Sequence, residues 1–110
     1  MKGMPGMSGG MAQLMKQANQ MQLKMKKAQE EIAKMEFEGT SGGGAVKVKV
    51  SGEHLLLSVA IDPEVIKAGD AEMMQDMVVT ASNDAIKKAK EYSEKEMAKI
   101  TGGMGVPGMF

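Results

Sequence analysis

Residues 36–61 read EFEGTSGGGAVKVKVSGEHLLLSVAI, and the spacing of apolar residues in this stretch decides the fold. In AVKVKV, residues 45–50, Val46, Val48 and Val50 alternate with Lys47 and Lys49. Successive side chains of a strand point to opposite faces, so this run predicts a strand with its valines inward and its lysines outward. In HLLLSVAI, residues 54–61, Leu55, Leu57, Val59 and Ile61 fall on one face, and Leu56, Ser58 and Ala60 on the other. Ser51-Gly52 between the runs is a turn signal, and together they predict a hairpin. Upstream, EFEGTS at residues 36–41 predicts a short strand joined through a flexible Gly42-Gly43-Gly44 turn. The expectation is a three-stranded antiparallel meander. The second face of its last strand is only weakly polar, and an open sheet edge invites pairing. Both features favour a dimer in which a second copy of the sheet supplies the cover.

On either side of this stretch the period changes from two to three or four. Residues 11–35 contain neither Gly nor Pro. Leu14, Ala18, Met21, Met25, Ala28, Ile32 and Met35 follow one another there at alternating spacings of four and three, a heptad seam. Ser8 is a candidate N-cap. A helix of this length runs to about 38 Å at 1.5 Å per residue. That is too long to flank a small domain, so part of it projects or packs on another long helix, and Ala18 and Ala28 let that partner come close. Downstream, Asp62-Pro63 predicts a capped helical turn over residues 64–67. Asp70 then caps a second long helix over residues 71–100. Met74, Met77, Val78, Ala81, Ala85, Ala89 and Tyr92 form its apolar stripe. Its middle is Ala-rich like the first helix, and Gly102-Gly103 ends it. The expected fold class is α+β, in the order helix, three antiparallel strands, short turn, helix. A single domain is expected over residues 11–101, with flexible Gly- and Met-rich tails over 1–10 and 102–110.

The composition excludes more than it selects. A chain of 110 residues is one ordinary domain. It has no Cys, which removes disulfides, iron–sulfur clusters, Cys-type zinc sites and a Cys nucleophile. Its one histidine, His54, cannot build a His cage and has no triad-like partners in the sequence. Asp62, Asp70, Asp76 and Asp84 are not spaced as a metal loop. Gly42-Gly43-Gly44 lacks the Gly-Lys-Ser/Thr ending of a phosphate loop and opens a strand, so it reads as a hairpin turn. Met1, Met4, Met7, Met11 and Met15 recur at thioether-cluster spacing, but Met is spread along the whole chain and reads as adaptable core filler, not a copper site. Asn83-Asp84 interrupts a good helical stretch and predicts a local structural hydrogen bond. The expectation is therefore no enzyme, no catalytic residue, no metal, no cofactor and no small-molecule substrate. No run approaches the roughly 18 apolar residues of a membrane span, and residues 1–10 lack a secretory h-region. The seams carry Met and Ala where a membrane-surface helix favours Trp, Phe or Leu, so packing on a partner helix is preferred. A cytoplasmic protein without a membrane partner is expected.

Charge is segregated although it sums to zero. Residues 1–34 hold six Lys against two acids, for +4, while residues 35–70 carry −3 and residues 71–110 carry −1. Between Gln13 and Gln29 there are Lys16, Lys24, Lys26 and Lys27, several Gln and Asn, and no acid. Such a helical surface can contact phosphates and sugars. Lys87, Lys88 and Lys90 form a second basic cluster on the last helix. The plain alternative for either cluster is a solvated face. All 14 basic residues are Lys. Lys acts as a point charge, whereas Arg makes the bidentate contact that reads guanine, so binding through these residues implies backbone contacts with weak sequence preference.

Several strings together resemble the YbaB/EbfC family of bacterial nucleoid-associated DNA-binding proteins. They are LMKQANQMQLKMKKAQEEIAKMEFEGTSGGG at residues 14–44, VKVKVSG at 46–52, VAIDPEVI at 59–66, NDAIKKAKE at 83–91 and the terminal GGMGVPGMF. They occur in the family's order over nearly the whole chain. The resemblance implies a small homodimer whose sheets meet at the centre while the helices project like tweezers. It also implies duplex-DNA binding in the nucleoid, with effects on DNA conformation and gene expression. The matched motif residues Gly39, Gly52, Asp62 and Pro63 are structural. The choice of Lys16, Lys24, Lys26, Lys27, Lys87, Lys88 and Lys90 as DNA contacts rests on charge alone. The competing reading is a helical protein-interaction adaptor that does not touch DNA.

Overall fold

Val46, Val48 and Val50 are fully buried and Lys47 and Lys49 between them are exposed, as their alternation requires. The computed structural model describes residues 5–101. The order of elements is α1 (Pro5–Ala33), β1 (Glu36–Ser41), β2 (Val46–Ser51), β3 (Leu56–Ile61), α2 (Pro63–Lys67) and α3 (Ala71–Thr101). The three strands form one antiparallel sheet in the order β1-β2-β3. The Gly42-Gly43-Gly44 connection is a single tight turn in which all three residues have positive φ, a backbone that a Cβ disfavours. At the other hairpin, the Ser51 hydroxyl accepts the amides of Glu53 and Leu55, and His54 also takes positive φ (67°).

α3 lies across β1 and β2. Ala81, Ala85 and Ala89 are fully buried against the three valines, with Phe37, Ile61, Met77, Val78 and Ile86 around them. The Ala-rich middle of α3 thus meets the sheet and not α1, contrary to the helix–helix pairing that its composition suggested. Gly39 of β1 sits under this contact: a Cβ there would overlap the Ala81 carbonyl and the Ala85 amide. The helix is tied to β1 along its length. The Ser41 hydroxyl donates to the Met77 carbonyl (2.6 Å), the Thr40 amide donates to Asp84 (3.0 Å), and the Tyr92 ring packs on Phe37 with centroids 5.6 Å apart. Asp84, expected to make a local interaction, has one in Lys88 one turn on (3.3 Å) and a second partner 44 residues away in the Thr40 amide of the strand. The caps are as expected, with Asp62 accepting from Glu64 N and Asp70 from Met73 N.

α1 starts at Pro5 and not at Met11, so Ser8 lies inside the helix and is no N-cap, and residues 5–10 of the expected tail are helical. Residues 1–4 and the expected tail over 102–110 lie outside the described residues. α1 packs on α3 beyond the sheet. Along its seam Met21, Met25 and Ala28 are half-buried, and Ile32 is buried where its carbonyl backs onto Gly52. The radius of gyration is 22.1 Å, against about 13 Å for a compact domain of this length, because the outer part of α1 stands clear of the body.

β3 departs from its expected facing. A bulge between Lys49 and Val50 places Leu56 opposite Val50, while Val59 and Ile61 oppose Val48 and Val46. Leu56, Val59 and Ile61 therefore share the α3 side, not Leu55, Leu57, Val59 and Ile61. α3 does not reach over β3, and Leu55, Leu56 and Leu57 remain 59%, 53% and 51% exposed.

The tight α3–β1 contact makes a direct prediction. Gly39→Ala should destabilise the fold by about 1–3 kcal/mol through overpacking against backbone that cannot yield. Urea unfolding followed by circular dichroism measures it, and a midpoint unchanged from the parent would contradict the packing described.

Candidate nucleic-acid interface

The candidate basic residues do not form one cluster. At about 100° per residue, Lys16, Lys24 and Lys27 fall within about 80° of one another; Lys16 and Lys27 lie on the side of α1 opposite the Ile32 seam, and Lys24 lies on the flank of that seam, about 80° from Ile32. Lys26 lies a further 80–100° round the helix. All four are exposed, as are Gln13, Gln17 and Gln20 around them. From Lys16 to Lys27 the helix rises about 16 Å, roughly the rise of five base pairs of B-form duplex. No acid interrupts this stretch. The seven-residue spacing from Lys27 also brings Lys34 toward this side, a signal present in the sequence but passed over. It stands beside Glu30 and Glu31, which offset it.

On α3 the three candidates part company. Lys87 and Lys90 are exposed on the side away from the buried Ala81, Ala85 and Ala89. Lys88 is turned back onto β1. Its ammonium donates to the Glu38 carbonyl at 3.0 Å and lies 3.3 Å from the Asp84 carboxylate. It is paired at the surface with its side chain 53% exposed, so a phosphate would have to compete with two existing partners. Beyond them, Lys99 pairs with Glu96 at 2.9 Å.

Asp84 joins these groups. The Thr40 N–H hydrogen bond holds its carboxyl below the ordinary carboxylate range, partial desolvation opposes this, and the neighbouring Lys88 and Lys87 add to the lowering. At the opposite end of α3, a shallow depression is lined by Asp70, Glu72 and Asp76 next to Ser41-Gly42. Three acids repel a phosphate backbone, so that end of the molecule is unsuited to duplex. Among the described residues, no group of three His, Cys, Asp or Glu side chains is placed to hold a metal ion, and no helix is long and apolar enough to cross a membrane.

Because Asp84 titrates below its unfolded value, it stabilises the fold above pH 4, and that contribution is lost as pH falls through its depressed folded value. Asp84→Asn should lower the unfolding midpoint at pH 7 and flatten the decline in stability below pH 4. Thermal unfolding from pH 7 to pH 3 checks this. Parallel curves for the two proteins would show that the Thr40–Asp84–Lys88 tie does not act in solution.

Comparison with known proteins places this geometry in a family. The sequence model of the YbaB/EbfC DNA-binding family matches residues 7–104. A nucleoid-associated protein of Clostridium novyi is 49% identical over 98% of this chain and 96% of its own length. A nucleoid-associated protein of Alkaliphilus metalliredigens is 47% identical over 99% and 97%. Among solved structures, an uncharacterized protein of Helicobacter pylori superposes with a TM-score of 0.68 at 26% identity, covering 81% of this chain and 94% of that one.

Proposed function

The chain belongs to the YbaB/EbfC DNA-binding family, and from that premise we propose that it acts as a homodimer that binds duplex DNA in the bacterial nucleoid. The observation that carries this reading is the acid-free run of exposed lysines on the projecting helix α1, with Lys16 and Lys27 turned away from the seam that holds α1 to α3 and Lys24 on its flank. Lys26 belongs to the same run, and Lys87 and Lys90 extend the basic surface onto the body. Lys88 contributes least, because Glu38 and Asp84 already hold it. Each ammonium that meets a phosphate releases condensed counterions, and this term supplies affinity without reading sequence. With no Arg to read guanine, the contacts position the protein on the backbone. Two such arms on one duplex restrain its path, and this is how the protein would change DNA conformation, nucleoid organisation and gene expression.

The dimer is supported by β3. Its outer edge carries no strand partner among the described residues, and its leucines are open on both faces. An exposed apolar edge strand is a template for pairing. Leu56→Asp combined with Leu57→Asp places a charge on each face of β3. The variant should sediment as a single 11.7 kDa chain where the parent sediments as two, and should bind DNA more weakly. A variant that remains dimeric would move the dimer contact away from β3.

DNA binding is tested by fluorescence anisotropy on a labelled duplex. Log affinity should fall linearly with log salt, with a slope of about −0.9 per neutralised phosphate. Replacing Lys24, Lys26 and Lys27 with Glu should abolish binding, while Lys88→Ala should stay near the parent. Unchanged affinity in the triple variant would refute the α1 site. No binding even at low salt would favour the helical adaptor that docks a protein partner.

A further inference from the structure

The apolar seam of α1 continues beyond the helix that covers it. From Ile32 through Ala28 and Met25 to Met21 the seam is buried or half-buried, and from Gln20 back to Gly10 every residue is exposed. Leu14 and Ala18 carry the same stripe outward with Met11 and Met15 beside them, and Met11, Leu14 and Met15 are 59%, 63% and 64% exposed. Apolar surface left in water is unfavourable in proportion to its area. The stripe is bordered by neutral side chains. At about 100° per residue, Gln17 lies on one flank and Asn19 and Gln22 on the other. Between residues 11 and 22 the one charged residue is Lys16. It stands about 160° round the helix from both Leu14 and Ala18.

An apolar stripe with an amide rim and its only charge on the far side is complementary to itself. We propose that the stripe of Met11, Leu14, Met15 and Ala18 pairs antiparallel with the same stripe of a second copy of this chain. A two-fold axis between Leu14 and Met15 sets Met11 of each copy opposite Ala18 of the other, and Leu14 opposite Met15. A long side chain then meets a short one at each end, so the two helices can approach closely. The overlap stays within the uncovered stretch, because the seam is covered only from Met21 onward. Charge selects this direction. In the antiparallel pair, Lys24 and Lys26 of one copy stand roughly 30 Å along the axis from the same residues of the other, far beyond the screening length of about 8 Å. In a parallel pair each would lie beside its counterpart, with no acid between residues 13 and 29 to offset them. Lys16 and Lys27 face outward in both copies, so pairing leaves that side open. Four side chains from each copy fall well short of the roughly 20–30 residues a side of a standard interface. The link is therefore weak and acts where copies are already held close, as on one duplex. The pairing itself rests neither on DNA binding nor on the β3 contact.

The chain has no Cys, so cross-linking can be confined to chosen positions. Full-length Met11→Cys and Ala18→Cys chains are mixed in a glutathione redox buffer, where disulfides exchange until the most favoured dominate, and the linked species are identified by intact mass. The mixed Met11→Cys/Ala18→Cys species should form several-fold in excess of random pairing. It should also exceed several-fold the mixed species from Gln13→Cys and Gln20→Cys, which have the same seven-residue spacing on the other side of α1. Adding Leu14→Gln and Met15→Gln to both chains should bring the mixed species down to that control. Both positions are exposed, and circular dichroism checks that the helix is retained. An excess of same-position disulfides would overturn the antiparallel register. A mixed species no more abundant than the control would overturn the pairing and leave the stripe to a different partner.

Discussion

The close approach of α3 to the sheet is the constraint on which the rest of the molecule depends. It requires small residues on both sides: Ala81, Ala85 and Ala89 on the helix, and Gly39 on the strand beneath. Only with those in place can β-branched valines fill the single core layer. The ties from Ser41 to Met77, Thr40 to Asp84 and Phe37 to Tyr92 then hold the helix in register along β1. Two features follow. α3 overruns the sheet at the β1 start and gives α1 something to pack on. Because one helix covers two strands, β3 is left bare.

The Val/Lys alternation of β2 was fully legible, because a period of two over six residues has one structural meaning. The caps at Asp62 and Asp70 and the order of elements were legible for the same kind of reason, each being a local signal. The stripe of α3 could be identified residue by residue, but not its partner: alanine admits close approach by either a helix or a sheet. The facing at the start of β3 was misjudged because one bulge puts Leu56, and not Leu55 or Leu57, on the side of Val59 and Ile61, and nothing in LLLSVAI marks where it falls. The start of α1 was missed because Pro5, Gly6, Gly9 and Gly10 argue locally against a helix. Within the candidate interface, the exposure of the α1 lysines followed from the seam. The engagement of Lys88 did not, because its partners, Glu38 across the fold and Asp84 one turn back, come together only once α3 lies on β1.

A net charge of zero is no obstacle to a polyanionic partner when the charge is sorted in space. Acids lie near the start of α3, on the sheet body and, as Glu91, Glu94 and Glu96, on the distal part of α3, while residues 13–29 of α1 carry lysines and no acid. At physiological salt the screening length is about 8 Å, so the carboxylates at the start of α3 and on the sheet do little to cancel the outer lysines of the arm.

The joint between α1 and the sheet has a mechanical consequence. Ile32 backs onto Gly52 with no room for even one added methyl group, and the seam rests on α3 as far as Met21. The unsupported arm from Met21 to Pro5 is about 24 Å long. A tilt of about 10° would sweep its tip through roughly 4 Å, about one phosphate step along one strand. In a dimer the spacing of the two arms would then be set by how the Met21–Ile32 seam sits on α3 and Gly52, at the far end of the helix from the arm's tip.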